Sequence, residues 1–480
     1  DFYETFGEDA VRAAKILNIT LTARNNGGDM TELAGFPHHS VNTYLPKLVM
    51  AGCRVAICDQ LEDPKQTKTI VKRGVTELVT PGVALNDDIL QSNSNNFLAA
   101  LHFEGDIVGV SFLDVSTGEF LTSQGTVEYI DKLLQNFNPS EVLFSKQKRK
   151  LFTESFGNDY HVFHLEDWVF QKDYAHETLN KHFETINLKG FGVDHLDAGI
   201  IASGAALHYL SETQHNQLKH IARISRIAED EYVWMDRFTI RNLELYHGNS
   251  ANAVTLLDVI DKTISPMGGR LMKRWLALPL KNKEKIVQRH EVVSYLLDHL
   301  PLLEKVQQHI KRIGDLERLI SKTATGKIHP REVIQLKNSL EAVVPLKALA
   351  KDSKNESLQI IGEQLQDCET LRNKIKETLK EEAPVNVLKG NAIAPGVNEE
   401  LDELRSIAKG GKDYLDKMLE REQERTGITS LKIASNNVFG YYIEVRNTHK
   451  DKVPQEWIRK QTLVSAERYI TEELKEYESK

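Results

Sequence analysis

Residues 107–121 read IVGVSFLDVSTGEFL, and this stretch decides the fold class of the region around it. Its first eight residues alternate between two faces, as a β-strand does, and the turn sequence Ser116-Thr117-Gly118-Glu119 leads into a second strand. A helical pattern over residues 127–137 follows, and Pro139 breaks it. Strands and helices in this order predict an α/β domain that extends to about residue 225.

Different patterns flank this domain on both sides. Before it, helical spacing over residues 8–17 and 41–49, with β-branched runs between and after, predicts a smaller α/β domain. The polar segment from Asn86 to Asn96 predicts a linker between the two domains. Beyond Ile240, apolar residues recur three and four apart almost without a break, which predicts an all-helical domain.

The helical pattern breaks at Pro395-Gly396. Asn398 is a good N-cap for a charged helix, with acidic residues in its first turn. Two strands, over residues 431–436 and 441–446, and a helix from about residue 455 are expected next. This order predicts a helix–hairpin–helix unit that is inserted into the helical body and projects from it.

The chain has 480 residues, enough for three or four domains, and 40% of them are hydrophobic. Three cysteines exclude a disulfide scaffold, and no apolar run is long enough for a membrane segment, so we expect a cytoplasmic protein. The net charge of −8 argues against a protein that coats nucleic acid with its whole surface. Contact with nucleic acid would therefore depend on local basic patches.

The ends of the sequence suggest a fragment. It begins at Asp1 without a methionine, and its last residues follow a helical pattern that no Gly, Asn or Pro stops. We therefore expect a longer protein that also contains residues before Asp1 and after Lys480.

Few residues point to catalysis. Gly410-Gly411-Lys412 lacks the first glycine and the hydroxyl residue of a phosphate-binding loop. Asp114 leaves two interpretations open: a metal ligand in a structure-specific nuclease, or a carboxylate that accepts hydrogen bonds at a turn. The histidine pairs are either metal ligands or surface residues, and they are His38 with His39 and His161 with His164. We predict no catalytic or metal site in this chain.

Two basic clusters are candidates for contact with DNA phosphates, and for the first of them a merely solvated surface is the alternative. The first, within residues 65–76, has no acidic residue, and its cations are Lys65, Lys68, Lys72 and Arg73. The second, within residues 431–465, has six cations against three carboxylates, a net charge of +3. An exposed hairpin of this kind suits sequence-independent contact with a backbone. Its predicted contacts are Lys432, Asn436, Asn437, Arg446, Arg459 and Lys460.

Phe2 and Glu4 lie two residues apart, so an extended strand presents both on one face. Beside a basic patch, a phenylalanine can act as a wedge between base steps, and a glutamate can hydrogen-bond a displaced base edge. The alternative is that Phe2 belongs to the hydrophobic core.

Short motifs follow one another along the whole chain. Those of the first hundred residues are Asp1-Phe2-Tyr3-Glu4, Ala34-Gly35-Phe36-Pro37-His38-His39, Val55-Ala56-Ile57-Cys58-Asp59-Gln60 and Val79-Thr80-Pro81-Gly82. The later ones are Gly190-Phe191-Gly192-Val193, Arg241-Asn242-Leu243-Glu244, Ser265-Pro266-Met267-Gly268-Gly269-Arg270, Gly314-Asp315-Leu316-Glu317-Arg318, Asn398-Glu399-Glu400-Leu401-Asp402, Phe439-Gly440-Tyr441-Tyr442-Ile443 and Ala466-Glu467-Arg468-Tyr469. In this order they resemble the MutS family of DNA mismatch-repair proteins, of the bacterial type.

The resemblance implies a multidomain fold that combines α/β domains with an all-α domain. Its parts would be a small α/β mismatch-recognition domain (1–88), a ribonuclease-H-like α/β connector (95–225), a helical lever core (228–395 and 466–480) and an inserted helix–hairpin–helix clamp (396–465). It also implies that mismatched double-stranded DNA is the ligand. Phe2 would stack on the mispaired base from the minor groove, and Glu4 would hydrogen-bond it.

Members of this family continue into an ATPase domain that carries a phosphate-binding loop and the main dimer contacts. The resemblance therefore implies that ATP, Mg²⁺ and homodimer formation depend on residues outside this chain, which itself would hold no cofactor and hydrolyse no ATP. It further implies an ATP-dependent sliding clamp, a MutL-type repair partner and a nucleoid-associated location in the cytoplasm. Two alternatives stay open: the nuclease, and a family member devoted to recombination intermediates, which typically lacks the Phe-x-Glu pair.

Overall fold

The computed structural model describes residues 2–26, 29–62, 71–213, 218–246, 248, 250, 253–436 and 438–479. The chain divides into two compact units, Asp1–Ala392 and Ile393–Lys480. No helix within the described residues is long and apolar enough to cross a membrane.

The N-terminal domain combines two helices with two separate β-structures. Its elements are β1 (Phe2–Phe6), α1 (Glu8–Leu17), β2 (Thr22–Asn26), β3 (Asp29–Pro37), α2 (Val41–Met50), β4 (Val55–Gln60) and β5 (Arg73–Val79). An antiparallel sheet has the strand order β1–β3–β2, and β4 and β5 form an antiparallel ribbon. The core lies where α1 packs on Phe36 of β3 and Leu48 of α2. Gly35 is required opposite Glu4, because a Cβ there would stand 2.6 Å from the carbonyl oxygen of Tyr3.

The second domain is a six-stranded sheet covered by helices on both faces. Its elements are β6 (Leu98–Glu104), β7 (Ile107–Asp114), β8 (Glu119–Gly125), α3 (Val127–Phe137), β9 (Glu141–Ser145), α4 (Arg149–Phe156), β10 (Val162–Leu165), α5 (Lys172–His182), α6 (Asp197–Glu212) and β11 (Ser225–Arg226). The strand order is β10–β9–β6–β7–β8–β11. Strands β6, β7 and β8 are antiparallel, and β9 and β10 run parallel to β6. Helices α3 and α4 bury one face, and α5 and α6 bury the other.

An all-helical segment completes the first unit, as the sequence predicts. Its helices are α7 (Arg237–Asn242), α8 (Leu256–Ile260), α9 (Pro266–Ala277), α10 (Lys283–Asp298), α11 (Leu300–Ile310), α12 (Leu316–Ala324), α13 (Pro330–Lys351), α14 (Glu356–Gln364) and α15 (Glu369–Thr378). Pro330 is the first residue of α13, where its missing N–H costs no helical hydrogen bond.

The second unit is a long helix, a four-stranded antiparallel sheet and a short helix. Its elements are α16 (Glu399–Thr426), β12 (Lys432–Asn436), β13 (Gly440–Arg446), β14 (Ile458–Thr462), β15 (Ala466–Ile470) and α17 (Glu472–Ser479). The strand order is β12–β13–β15–β14. The side chain of Asn398 caps α16 by accepting the N–H of Leu401, as expected for a good N-cap.

The helix expected from about residue 455 is wrong. Two strands, β14 and β15, occupy most of that region, and the helix begins only at Glu472. The predicted hairpin is therefore half of a four-stranded sheet. Ile443 and Val445 of β13 are fully buried in the core of this unit, and β15 pairs alongside them. Pairing with a buried strand decides the conformation here, and it overrides the local pattern.

Candidate nucleic-acid interface

Strand β1 presents three exposed side chains on one face. The side chains of Phe2, Glu4 and Phe6 are exposed, with Phe2 at 61% and Phe6 at 47%, while Tyr3 and Thr5 face the interior. Pairing with β3 fixes this alternation, since Phe2 lies opposite Pro37 and Glu4 lies opposite Gly35. Phe2 is therefore not a core residue, and the strand holds it beside Glu4 with both side chains directed to solvent.

The basic cluster of this domain lies at one end of the β4–β5 ribbon. Arg73 begins β5 and pairs with Gln60, the last residue of β4. Arg73 and Lys72 are exposed, and Nζ of Lys72 lies 3.5 Å from the carboxylate of Glu62. The other two predicted cations, Lys65 and Lys68, lie outside the described residues.

A side-chain contact joins this ribbon to β1. The hydroxyl of Tyr3 donates a hydrogen bond of 2.6 Å to Oδ1 of Asp59, which is the neighbour of Gln60. Because Gln60 pairs with Arg73, this bond places the ribbon end that carries Lys72 and Arg73 beside the start of β1. One side-chain bond thus joins the two β-structures that carry the predicted DNA-contacting residues, while Phe2 and Glu4 themselves lie on the face of β1 opposite to that bond.

In the second unit, the predicted contacts fall on two faces of the sheet. Ile443 and Val445 of β13 point into the core with α16 and α17, so alternate residues point outward. The strand register places Lys432, Asn436 and Arg446 on the outward face, and both cations are exposed. No described carboxylate forms an ion pair with Lys432 or Arg446.

The remaining predicted contacts of this sheet have other surroundings. The guanidinium of Arg459 donates to Oε1 of Glu467 at 3.2 Å, and Lys460 lies at an irregularity in the pairing of β14 with β15. Oδ1 of Asn436 accepts the backbone N–H groups of Val438 and Phe439, so this oxygen shapes the hairpin turn. Asn437 lies outside the described residues. Lys432 and Arg446 are consequently exposed cations of the outward face that no described carboxylate pairs.

Asp114, the last residue of β7, bonds residues on both sides of the strand end. Its side chain is fully buried, and it accepts hydrogen bonds from the side chain of Asn95, the backbone of Asn96, and the backbone and hydroxyl of Ser116. Among the described residues, no group of three or more His, Cys, Asp or Glu side chains is placed to hold a metal ion. The turn interpretation of Asp114 accounts for every one of these contacts.

Comparison with known proteins identifies the three successive parts of the chain. Residues 1–88 match the profile of MutS domain I, residues 96–222 that of MutS domain II, and residues 238–477 that of MutS domain III. The chain belongs to the MutS family. This confirms the family resemblance and the mixed α/β organisation expected from it.

Several MutS relatives match along the whole chain. The DNA mismatch repair protein MutS of Christiangramia forsetii is 71% identical over 480 residues, which cover 100% of this chain and 55% of that protein. Those of Flavobacterium johnsoniae and Phocaeicola vulgatus are 69% and 60% identical over 481 residues, with the same coverage. The chain thus spans about half the length of the curated relatives that it matches.

Two MutS motifs meet around the linker in a way that sequence reasoning missed. Arg270 is only 3% exposed, and it bonds both carboxylate oxygens of Asp315, at 2.7 and 2.8 Å, and the carbonyl of Ser92, at 2.8 Å. Arg318 donates to the carbonyls of Gln91 and Ser94. The two arginines hold the linker on the helical segment. Arg270 and Arg318 are the last residues of the motifs at 265–270 and 314–318, but neither motif shows by itself which distant carbonyls its arginine bonds.

Proposed function

We propose that this chain is the DNA-sensing part of a MutS-family mismatch repair protein and that Phe2 and Glu4 contact the mispaired base. The exposure of Phe2 beside Glu4 on one face of β1 is the observation that carries this proposal. The ring of Phe2 has 61% of its surface in solvent, so no packing inside the chain prevents it from reaching another molecule.

A phenylalanine wedge reads deformability rather than sequence. A mismatched step has lost part of its pairing and stacking energy, so unstacking it costs less than unstacking a paired step. Insertion of Phe2 from the minor groove would kink the duplex at such a step, as apolar wedges do. The carboxylate of Glu4 would then hydrogen-bond the displaced base edge.

Backbone contacts would supply most of the affinity. Lys72 and Arg73 lie at the end of the β4–β5 ribbon, which the Tyr3–Asp59 bond joins to β1, and Lys432 and Arg446 lie on the outward face of the second sheet. Each cation that neutralises a phosphate releases a condensed counterion and adds sequence-independent affinity. We propose that the second sheet belongs to a clamp that holds the duplex, and that the helices of the first unit form the lever core.

We also infer that the second domain is a connector with a ribonuclease-H-like fold. Three antiparallel strands followed by two parallel ones, in the order β10–β9–β6–β7–β8, support this inference. In the full-length protein, ATP and Mg²⁺ would bind a separate ATPase domain, which would switch the protein into a sliding clamp. Homodimer formation and a MutL-type partner are proposed on the same family basis.

The test is Phe2→Ala in the full-length protein, with Phe6→Ala as its matched control. Both phenylalanines are exposed on the same strand and the same face, so both substitutions remove similar apolar area. Dissociation constants for a mismatched duplex and for its fully paired counterpart are measured at one salt concentration by fluorescence anisotropy. We expect Phe2→Ala to remove the preference for the mismatch and Phe6→Ala to retain it. Unchanged preference in Phe2→Ala would remove Phe2 from the site.

The same measurements separate the alternatives. A recombination-intermediate binder would bind a four-way junction more tightly than a mismatch, and its binding would not depend on Phe2. A nuclease that uses Asp114 would cleave DNA in the presence of Mg²⁺, and Asp114→Asn would abolish the cleavage. Four structural hydrogen bonds to the buried Asp114 carboxylate argue against the second alternative.

A further inference from the structure

Tyr3 stands between Phe2 and Glu4 in the sequence but points to the opposite side of β1. Its hydroxyl donates to Oδ1 of Asp59 on β4, at 2.6 Å. The other oxygen of that carboxylate, Oδ2, accepts the hydroxyl of Thr76 on β5, also at 2.6 Å. A single carboxylate therefore receives one bond from the wedge-bearing sheet and one from the ribbon.

These bonds link two β-structures that are otherwise separate sheets. Strands β1, β3 and β2 form one sheet, and β4 and β5 form another, with no backbone ladder between them in the described part of the chain. We call the three side chains Tyr3, Asp59 and Thr76 the latch. Because Asp59 pairs with Gly74, the neighbour of Arg73, the latch also sets the position of the ribbon's basic end relative to Phe2.

The ring of Tyr3 is held by aromatic contacts on the same side of the strand. It stacks on His38 with ring centroids 4.9 Å apart and planes inclined by 24°, and it lies 6.1 Å from the ring of Phe36. A ring fixed in this way has little freedom left, so its hydroxyl meets Asp59 at small entropic cost. Since backbone pairing holds β1 on β3, a displacement of Tyr3 would displace Phe2 and Glu4 with it.

The protonation states favour the latch at neutral pH. Burial, together with the adjacent Asp59, raises the pKa of Tyr3 to about 12, so its phenol stays a donor. Hydrogen bonds from Thr76 and Tyr3 lower the pKa of Asp59, so its carboxylate stays an acceptor. A bond from a neutral donor to an ionised acceptor is stronger than one between two neutral groups.

We propose that Tyr3 is a positioning residue for mismatch discrimination. It holds β1, which carries Phe2, in a fixed position relative to the basic end of the ribbon. This inference rests on the proposed function of Phe2. Insertion of Phe2 and contact of Lys72 and Arg73 with phosphates have to occur in one geometry, and the latch fixes that geometry before DNA arrives. Without the latch, part of the binding free energy would be spent on ordering β1 against the ribbon. The complex with mismatched DNA would then lose more affinity than the looser complex with paired DNA.

The test uses Tyr3→Phe in the full-length protein, with Tyr44→Phe as the matched control. Tyr44 belongs to the same aromatic cluster, 4.7 Å from the ring of Phe36, and its hydroxyl forms no hydrogen bond with a described residue. Each substitution removes one hydroxyl and keeps the ring. We expect Tyr3→Phe to reduce the ratio of mismatch to paired affinity roughly tenfold, the size of one charge-assisted hydrogen bond, and Tyr44→Phe to leave it unchanged.

A second readout separates positioning from folding. A 2-aminopurine placed next to the mismatch reports unstacking by its fluorescence, and it is recorded with all DNA bound. A merely smaller folded fraction lowers the amount of complex but not the signal of each bound duplex. We expect a lower signal per complex for Tyr3→Phe and Asp59→Ala, and partial recovery for Asp59→Asn, which retains an acceptor oxygen. A wild-type signal in saturated Tyr3→Phe complexes would overturn the proposal.

The double variant Phe2→Ala with Tyr3→Phe distinguishes the two levels of the argument. If Tyr3 acts through Phe2, the second substitution adds no further loss of discrimination to Phe2→Ala. A further loss would mean that Tyr3 acts independently of the wedge, and the inference would be wrong. If Phe2→Ala itself retained discrimination, the proposed function would fail, whereas a loss in Phe2→Ala without any effect of Tyr3→Phe would refute only the role of the latch.

Discussion

Replacement of Arg270 by methionine tests whether the arginine pair fixes the linker between domains I and II. The guanidinium is 3% exposed and bonds two carboxylates, Asp315 and Glu317, as well as the Ser92 carbonyl. Burial alone would lower the pKa of Arg270, but its bonds to Asp315 and Glu317 raise it, so the cation is strongly favoured. Removal of one partner from a buried ion pair costs about 3–5 kcal/mol.

We take the lower bound of that range, because the Glu317 side chain is 46% exposed and water replaces part of its lost partner. About 3 kcal/mol corresponds to a roughly 150-fold increase in the population of linker-open molecules. A single free energy of unfolding is not defined for a chain with several domains, so the assay has to be local. Hydrogen–deuterium exchange of the linker amides, read by mass spectrometry, measures this opening directly.

Peptides that cover the linker should therefore exchange on the order of a hundred times faster in Arg270→Met than in the parent. Peptides from the core strand β7, which is buried along nearly its whole length, should exchange at the parent rate. Arg331→Met, on the exposed side of α13, controls for loss of an arginine from the same segment. Linker exchange at the parent rate in Arg270→Met would refute the view that this arginine anchors the linker.

Two further predictions concern charge and pH. In the full-length protein, Lys432→Ala and Arg446→Ala should each weaken binding to matched and mismatched duplexes alike. Each should reduce the slope of log affinity against log salt by about 1. Arg459→Ala should reduce this slope less, because the guanidinium of Arg459 already bonds Glu467. Equal slopes for all three variants and the parent would contradict the proposed backbone contacts. The pKa of Asp59 is lowered, so the stabilisation that its carboxylate adds to the latch is present above the ordinary carboxyl pKa of 3.8 and is lost as pH falls through the lower folded value. The pKa of Tyr3 is raised, so the stabilisation that its phenol adds is present below pH 10 and is lost as pH rises toward about 12. The difference between the parent and Tyr3→Phe in the hydrogen-exchange protection of peptides that cover β1 and β4 should thus stay constant between about pH 5 and 9 and shrink on both sides. A difference that persisted at high pH would contradict the assigned donor.

Local pattern was sufficient where an element is amphipathic and buries one face on its own domain. Helix α1 occupies Glu8–Leu17 and α3 occupies Val127–Phe137, as their apolar spacing predicts. The strand at residues 107–114 is a short, mostly apolar run that a turn sequence follows, which is typical of a strand buried on both faces, and the structure buries it so. Each of these elements carries its signal within its own residues.

Local pattern failed where a distant partner decides the conformation. Residues 466–470 of β15 have no alternation of apolar and polar residues strong enough to predict a strand, yet they pair with β13 from Ile443 to Arg446. The pairing of β14 with β15 is irregular at Lys460, and this irregularity weakens the two-residue period of β14. Ile443 and Val445 are buried in one cluster with Met418 of α16 and Tyr469 of β15, so this shared core favours the pairing of β15 with β13.

The candidate site divides in the same way. The face shared by Phe2 and Glu4 follows from their spacing of two, which any strand would impose. The distant partners do not follow from any spacing. Asp59, which bonds this strand, is 56 residues from Tyr3, and Ser92, in the linker, is 178 residues from Arg270. A pattern within one segment carries no information on contacts of such separation. The available signal for Asp59 was its place directly after the apolar run Val55-Ala56-Ile57-Cys58, since buried polar groups have to find partners.

These distant contacts share a mechanical consequence for the proposed wedge. The buried carboxylate of Glu141, in domain II, accepts bonds from the Thr80 hydroxyl and the Gly82 N–H at the end of domain I, and from the hydroxyl of Tyr209. Bending a duplex costs about 1–6 kcal/mol, and a wedge transmits that load to whatever supports it. A support that yielded would let Phe2 withdraw instead of opening the base step. The latch joins β1 to the ribbon within domain I, the Glu141 contacts hold the end of domain I on domain II, and the arginine pair holds the linker on the helical segment. If Phe2 acts as the proposed wedge, these contacts would share the load with β1.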